Sequence, residues 1–182
     1  PSKLTIRVNT LKTDIESFKE NIGVDCSETE PFGALILSKG FDIANNPLYN
    51  DGQFFVQDIS SQKVVAVLDQ KPNERILDMC AAPGGKSFSM GLLMENKGEI
   101  VSCDLYEHKC NLIKTSVQRL GLDIIKPTVL DATVFDKNLG EFDRILCDVP
   151  CSGLGIIGKK PEIKYKDFNE FNNLPDIQFK IL

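Results

Sequence analysis

Apolar residues in this chain fall into two patterns: short runs that end on an acid, and one longer stretch with helical spacing. Arg75-Ile76-Leu77 runs into Asp78, and Glu99-Ile100-Val101-Ser102-Cys103 into Asp104. Pro127-Thr128-Val129-Leu130 runs into Asp131, and Phe142-Asp143-Arg144-Ile145-Leu146-Cys147 into Asp148. Such runs predict buried strands. From Glu107 to Leu120 the pattern predicts a helix with Leu112, Ile113, Val117 and Leu120 on one face and Lys109, Lys114 and Arg119 off it, stopped by Gly121. Strand, helix and strand in alternation imply an α/β fold with a parallel sheet. Upstream the pattern predicts a strand over Leu4–Asn9, a helix from Thr13 to about Ile22 and a strand near Ala34–Leu37. Asp58 can cap a helix running to Asp69, with Val64, Val65 and Leu68 packed on the sheet. Towards the end, Asn169 to Asn173 reads as loop and Ile177–Leu182 as the start of a helix. The chain thus divides into a small α/β region, 1–53, and a larger one, 54–182.

After the Arg75–Asp78 run comes Met79-Cys80-Ala81-Ala82-Pro83-Gly84-Gly85-Lys86-Ser87. Small residues and glycines let a backbone approach a ligand closely, and the helix that follows offers unpaired N–H groups. A dinucleotide fingerprint is a poor match, because only the Gly84-Gly85 pair is present. A phosphate-binding P-loop matches at Gly85-Lys86-Ser87 but has Cys80 where its first glycine belongs. S-adenosylmethionine carries no phosphate and needs a close backbone, apolar walls and a few carboxylates. The acids after the strands favour it.

Ligands of doubly wound sheets sit at the carboxyl ends of strands, and an acid roughly 20 residues past the glycine loop commonly takes ribose hydroxyls. Asp104 stands there. Asp131 could accept from an adenine amino group, and Asp148 could pair with the ammonium of a methionine moiety. A single acid after a strand more often caps a turn; three in register behind a glycine loop point to a ligand. Asp148 opens a second motif, Asp148-Val149-Pro150-Cys151-Ser152-Gly153. Methylation of exocyclic amines usually shows Asp/Asn-Pro-Pro-aromatic at this place. A Pro-Cys instead suits attack on a pyrimidine ring, where carbon 5 becomes nucleophilic once a thiolate adds to carbon 6. Cys103, Cys110 and Cys147 read as small buried residues, and Cys147 should face the core by strand parity. Cys151 is the functional candidate.

The runs 78–86 and 148–153 together resemble the Sun (Fmu) family of RNA cytosine-5 methyltransferases, in particular its branch acting on bacterial small-subunit ribosomal RNA. Ile6-Arg7-Val8-Asn9-Thr10, Gln57-Asp58-Ile59-Ser60-Ser61-Gln62 and Lys160-Pro161-Glu162-Ile163-Lys164-Tyr165 match as well. The resemblance implies a Rossmann-like methyltransferase domain preceded by a small ferredoxin-like or RRM-like subdomain facing RNA. It implies S-adenosylmethionine contacts at Cys80, Ala81, Ala82, Pro83, Gly84, Gly85, Lys86, Asp104, Asp131 and Asp148. It assigns the attacking thiol to a Thr-Cys pair, which does not occur in this sequence, and gives Cys151 a part in product release. With four of the seven strands of the family sheet counted and no NusB-like domain, a fragment is expected, one that binds cofactor weakly and does not turn over.

Six cysteines without a signal peptide or C-x-x-C pair fit a reducing, cytoplasmic setting. His108, the one histidine, is expected on a solvated helix face and gives no basis for a zinc site. No apolar run reaches membrane-spanning length. A monomer is expected. The net charge of −5 sits awkwardly with RNA, whose phosphates want lysine and arginine. One basic cluster, Lys159, Lys160, Lys164 and Lys166 around Tyr165, follows the Pro-Cys loop and could grip phosphates. A P-loop ATPase and a non-catalytic cofactor- or RNA-binding scaffold are the alternative readings.

Overall fold

Eight short strands pair into two separate four-stranded sheets in the computed structural model, which describes residues 4–38, 41–158 and 161–182. The first sheet is built from β1 (Leu4–Val8), α1 (Ile15–Asn21), β2 (Cys26–Thr29), β3 (Ala34–Leu37), α2 (Pro47–Asn50) and β4 (Phe54–Val56). Its order is β2-β3-β1-β4 with every pair antiparallel, the split βαββαβ arrangement of a ferredoxin-like fold. Alternation sends Ile6, Val8, Leu35 and Leu37 to one face, where they meet Phe18 and Ile22 from α1 and its C-cap. Asp14 starts α1 by accepting the Ser17 N–H at 2.9 Å.

Three elements here escape the sequence pattern. The edge strand β2 is Cys-Ser-Glu-Thr, which has no apolar alternation to read. Helix α2 is a single turn, and β4 has three residues. Because β4 pairs with β1, the sheet runs past the expected division at residue 53.

The second sheet follows α3 (Ile59–Leu68) and takes in β5 (Arg75–Asp78), α4 (Gly85–Leu93), β6 (Glu99–Asp104), α5 (Glu107–Leu120), β7 (Ile125–Val129) and β8 (Arg144–Leu146). All pairs are parallel in the order β7-β6-β5-β8, a Rossmann-like sheet. Ile76 and Ile100 face α3, α4 and α5 through Val65, Phe88, Met90 and Ile113. Leu77, Val101 and Cys103 look the other way, towards Leu139 and Phe142. Helix α6 (Leu174–Ile181) follows after 3-10 turns, and it starts three residues before the expected position.

Several expectations need correction. Leu112 is exposed, because the buried stripe at helical spacing runs through 110, 113, 117 and 120, with Cys110 buried as expected. Val64 is exposed while Val65 is buried. Asp58 occupies the N-cap position of α3, but its carboxylate makes no capping bond there. Strands β7 and β8 stop short of their acids, leaving Cys147 half-buried with its Sγ 3.4 Å from the Met79 sulfur.

The two sheets meet at the end of α5. Helix carbonyls at a C-terminus lack intrahelical partners and carry the negative end of the dipole. Lys12 Nζ donates to the Arg119 carbonyl at 2.8 Å and to that of Asp51 at 2.7 Å. The buried Asn9 donates from Nδ2 to the carbonyls of Leu120 and Gly52, both at 2.9 Å. Arg119 donates back to the carbonyls of Tyr49 and Phe54 and lies 3.9 Å over the Tyr49 ring. Gly52 has φ +72°, and a Cβ there would fall 1.9 Å from the Arg119 carbonyl oxygen. We therefore expect Asn9→Ala to lower stability by about 1–3 kcal/mol, because two carbonyls lose a shared donor. Gly52→Ala should cost more, since α5 has to move. Urea unfolding of the two variants beside the wild type measures both.

Candidate active site

Strand β5 lies inside its sheet and delivers the glycine loop at its carboxyl end. The loop hangs from both neighbouring strands: Met79 N–H donates to the Leu146 carbonyl at 3.0 Å, and Ala81 N–H to that of Cys103 at 2.7 Å. Gly84, at φ +103°, is the N-cap of α4. The Phe88 ring fills the space beside it, 2.3 Å from where a Cβ would stand, so any side chain there would have to displace the ring. Cys80 and Ala82 are half-buried, Ala81 is buried and Pro83 is exposed.

The acids divide between two places. Asp104 and Asp131 line one pocket of about 310 Å³ together with Met79, Cys80 and Pro150. Asp104 is buried, and its Oδ1 accepts the Tyr106 N–H at 3.1 Å with Lys109 Nζ at 3.6 Å. Asp131 Oδ1 takes the Thr133 hydroxyl at 2.6 Å and its N–H at 2.9 Å, bonds that hold this carboxyl below its ordinary range. In both acids the local bonds use Oδ1 and leave Oδ2, and Leu105, Leu130 and Ala132 supply apolar wall. A nucleoside with hydroxyl and amino donors fits that chemistry. Asp148 lies outside this wall and pairs with Lys86, Nζ to Oδ2 at 2.6 Å. Cys151, three residues further on, is the exposed cysteine of the six. Gln178 of α6 steadies the loop by donating to the Pro150 carbonyl at 2.8 Å.

Sequence reasoning assigned no role to Asp78, Ser87 and Ser102, which form a buried polar chain. Ser87 Oγ donates to Asp78 Oδ2 at 2.6 Å, and Ser102 Oγ donates to Ser87 Oγ at 2.7 Å. Burial pushes the Asp78 carboxyl up to about 6; the Ser87 bond and Lys86 work against the rise, and Asp148 adds to it. The available signal was polar residues on the inner side of an amphipathic helix: Ser87 and Ser89 are both buried, and Ser89 Oγ donates to Gln57 Oε1 at 2.6 Å. This arrangement does not support a P-loop. Ser87 is sealed inside and Lys86 is engaged with Asp148, so neither side chain stands as a phosphate or magnesium ligand. Burial, reinforced by nearby acids, raises the Cys80 thiol to about 11 and the Cys103 thiol to about 12, which leaves both poor thiolates.

In the basic cluster, Lys164, Tyr165 and Lys166 are exposed, with Lys166 Nζ 6.0 Å over the Phe171 ring. Lys159 and Lys160 lie outside the described residues. His108 is exposed on α5. Among the described residues no helix is long and apolar enough to cross a membrane.

Residues 65–182 match the 16S rRNA methyltransferase RsmB/F family. The whole chain is 42% identical to the Bacillus subtilis protein named "Probable ribosomal RNA small subunit methyltransferase B", of which it spans 42%. It is 38% identical, over 87% of its length, to the tRNA (cytosine(49)-C(5))-methyltransferase of Pyrococcus abyssi, covering 53% of that protein. A solved methyltransferase homologue from Pyrococcus horikoshii superposes over the full chain with a TM-score of 0.85 at 27% identity, and 59% of that structure is covered. The chain therefore spans 42–59% of the length of these relatives.

The Asp78 carboxyl makes a pH prediction. In the folded protein it titrates at about 6, against 3.8 without the fold, so folding favours its protonated form. Its contribution to stability is complete below about pH 4 and is lost as pH rises through about 6. Asp78→Asn keeps an acceptor for Ser87 without the charge. Chemical denaturation across pH should show the variant gaining on the wild type from about pH 4 to 6, by at most about 3 kcal/mol, and holding that gain above.

Proposed function

Because the chain belongs to the 16S rRNA methyltransferase RsmB/F family, we propose that it acts in methylating carbon 5 of a cytosine in RNA, with small-subunit ribosomal RNA as the substrate and S-adenosylmethionine as the donor. The observation that carries this reading is the Lys86–Asp148 ion pair with Cys151 close behind it, set at the carboxyl edge of the sheet beside the glycine loop. Asp104 would take the ribose hydroxyls and Asp131 the adenine amino group, and the 80–86 backbone would lie along the cofactor. When bound, the cofactor supplies an electrophilic methyl group.

The residues of this chain handle the base. Asp148, about half exposed and held by Lys86, would accept from the amino edge of a cytosine and keep the ring against the loop. Thiol addition to carbon 6 makes carbon 5 nucleophilic; after methyl transfer, loss of the carbon 5 proton expels the thiolate. Cys151, exposed at that edge, serves the release step. A stacked cytosine hides its faces, so the target would be single-stranded or flipped out. Residues 1–53, completed by β4, form the RNA-facing region, and residues 54–182 carry the cofactor site. Six unpaired cysteines support a reducing, cytoplasmic setting, and a monomer is the working state.

Calorimetric titration tests the cofactor half. S-adenosylmethionine should bind in the absence of magnesium, and Asp104→Ala should lose at least about tenfold in affinity, as expected when a charged acceptor leaves its hydroxyls unpaired. Binding of magnesium–ATP in place of S-adenosylmethionine would overturn the methyltransferase reading.

A further inference from the structure

Arg7 is the second residue of the buried stretch Ile6–Val8 on β1, and its side chain has an unusual environment. Only 3% of the residue is exposed. Its Nε is closed off from solvent with no acceptor among the described residues. A guanidinium does not shed its proton in proteins, so burial leaves a charge that nothing in the described chain offsets. Its pKa is held below the ordinary value by burial, with no acid acting in the other direction. The half-buried Arg119 differs in kind: it spends its donors on two carbonyls and its face on a tyrosine ring.

The position of Arg7 gives this imbalance a direction. Across the sheet it stands opposite Ala34 on β3 and Phe55 on β4, on the face away from α1. The Phe55 ring meets Phe88 edge-on at 5.6 Å, and Phe88 is the ring packed over Gly84. The guanidinium therefore sits on the side of the first sheet that is turned to the glycine loop. Gly33, at φ +86°, lies against it. A Cβ there would come within 3.4 Å of Cζ and Nε, so glycine keeps the planar group uncrowded. Arg7 is not part of the pocket that holds Asp104 and Asp131, which argues against the carboxylate of the cofactor as its partner.

We propose that Arg7 is an anion-receiving group in the seam between the two sheets, and that it takes a backbone phosphate of the RNA strand whose cytosine is presented to the glycine loop. This inference rests on the RNA methyltransferase reading and adds a phosphate contact to it. A planar fork facing two phosphate oxygens is the pairing for which arginine is better suited than lysine.

The experiment compares the wild-type chain with Arg7→Met and Arg7→Lys. A fluorescent single-stranded RNA oligonucleotide containing cytosine is titrated by anisotropy between about 50 and about 200 mM salt. S-adenosylmethionine affinity is measured by calorimetry and thermal stability by melting. Arg7→Met should bind RNA more weakly and lower the slope of log affinity against log salt by about 0.7, one phosphate contact on a single strand. Its cofactor affinity should be unchanged, and its melting temperature no lower than that of the wild type, because an unpaired buried charge has been removed. Arg7→Lys should keep the slope and lose part of the affinity, and it carries the test if Arg7→Met does not fold.

Unchanged RNA affinity and slope in both variants would overturn the inference alone. So would a joint fall in melting temperature and cofactor affinity, the mark of a structural arginine. A wild type that binds cofactor and no RNA overturns it while the cofactor reading stands, and a wild type that binds neither brings down both. Inorganic phosphate that raises the wild-type melting temperature through Arg7 without competing with RNA would assign a free-anion site and reject the RNA strand.

Discussion

The last carbonyls of α5 are where the two sheets become one molecule. A helix end leaves acceptors that something must satisfy, and here the donors come from the other sheet: Lys12 on Arg119, Asn9 on Leu120. Gly52 lets the two backbones close to a distance that a side chain would forbid. Arg119 returns the connection through Tyr49 and Phe54, so the joint is bonded from both sides. With that joint made, the face of the first sheet carrying Arg7 and Phe55 is held towards α4, and the glycine loop acquires a second wall. The seam exists because of a helix terminus well away from the loop.

Within the site one cation serves two acids. Lys86 pairs with Asp148 directly and lowers the Asp78 carboxyl through space, while Asp148 raises it. The remaining acids are handled locally. Asp131 is held by the threonine two residues on, and Asp104 by the turn that follows β6. The proposed cofactor acids thus keep one oxygen for turn geometry and one for a ligand. The proposed base-facing acid depends instead on a residue of the glycine loop, which ties the two motifs into one electrostatic group.

Much of this was legible in the sequence because it rests on local rules. The parallel sheet showed in apolar runs closing on acids, and α5 showed in its spacing and its Gly121 stop. Cys151 stood out as the cysteine on a small-residue loop. What escaped was decided by tertiary partners. Leu112 points to solvent because the buried stripe of α5 runs through 110, 113, 117 and 120, where the Cys110 thiol, buried as expected, sits against the Asp104 and Thr128 carbonyls. Strand β2 has no pattern of its own and exists by pairing with β3. Asp78 reads as one more acid after a strand, and only its burial beside Ser87 and Ser102 sets it apart. The parting of Asp148 from the pocket of Asp104 and Asp131 likewise follows from Lys86 reaching across, which spacing alone does not reveal.

Four consecutive residues at the start of α4 each grip a different part of the fold. Lys86 holds Asp148 after β8, Ser87 holds Asp78 and Ser102, Phe88 meets Phe55 of the first sheet, and Ser89 holds Gln57 ahead of α3. A turn pinned in four directions has little freedom to adapt to what it receives. The glycine loop is then a template whose shape is prepaid in folding, and little ordering entropy is left for it to lose on binding. The Pro150–Ile157 segment is tied at its first residue by the long-range bond from Gln178. The four grips of α4 end at Asp148, and the loop that carries Cys151 begins where they stop.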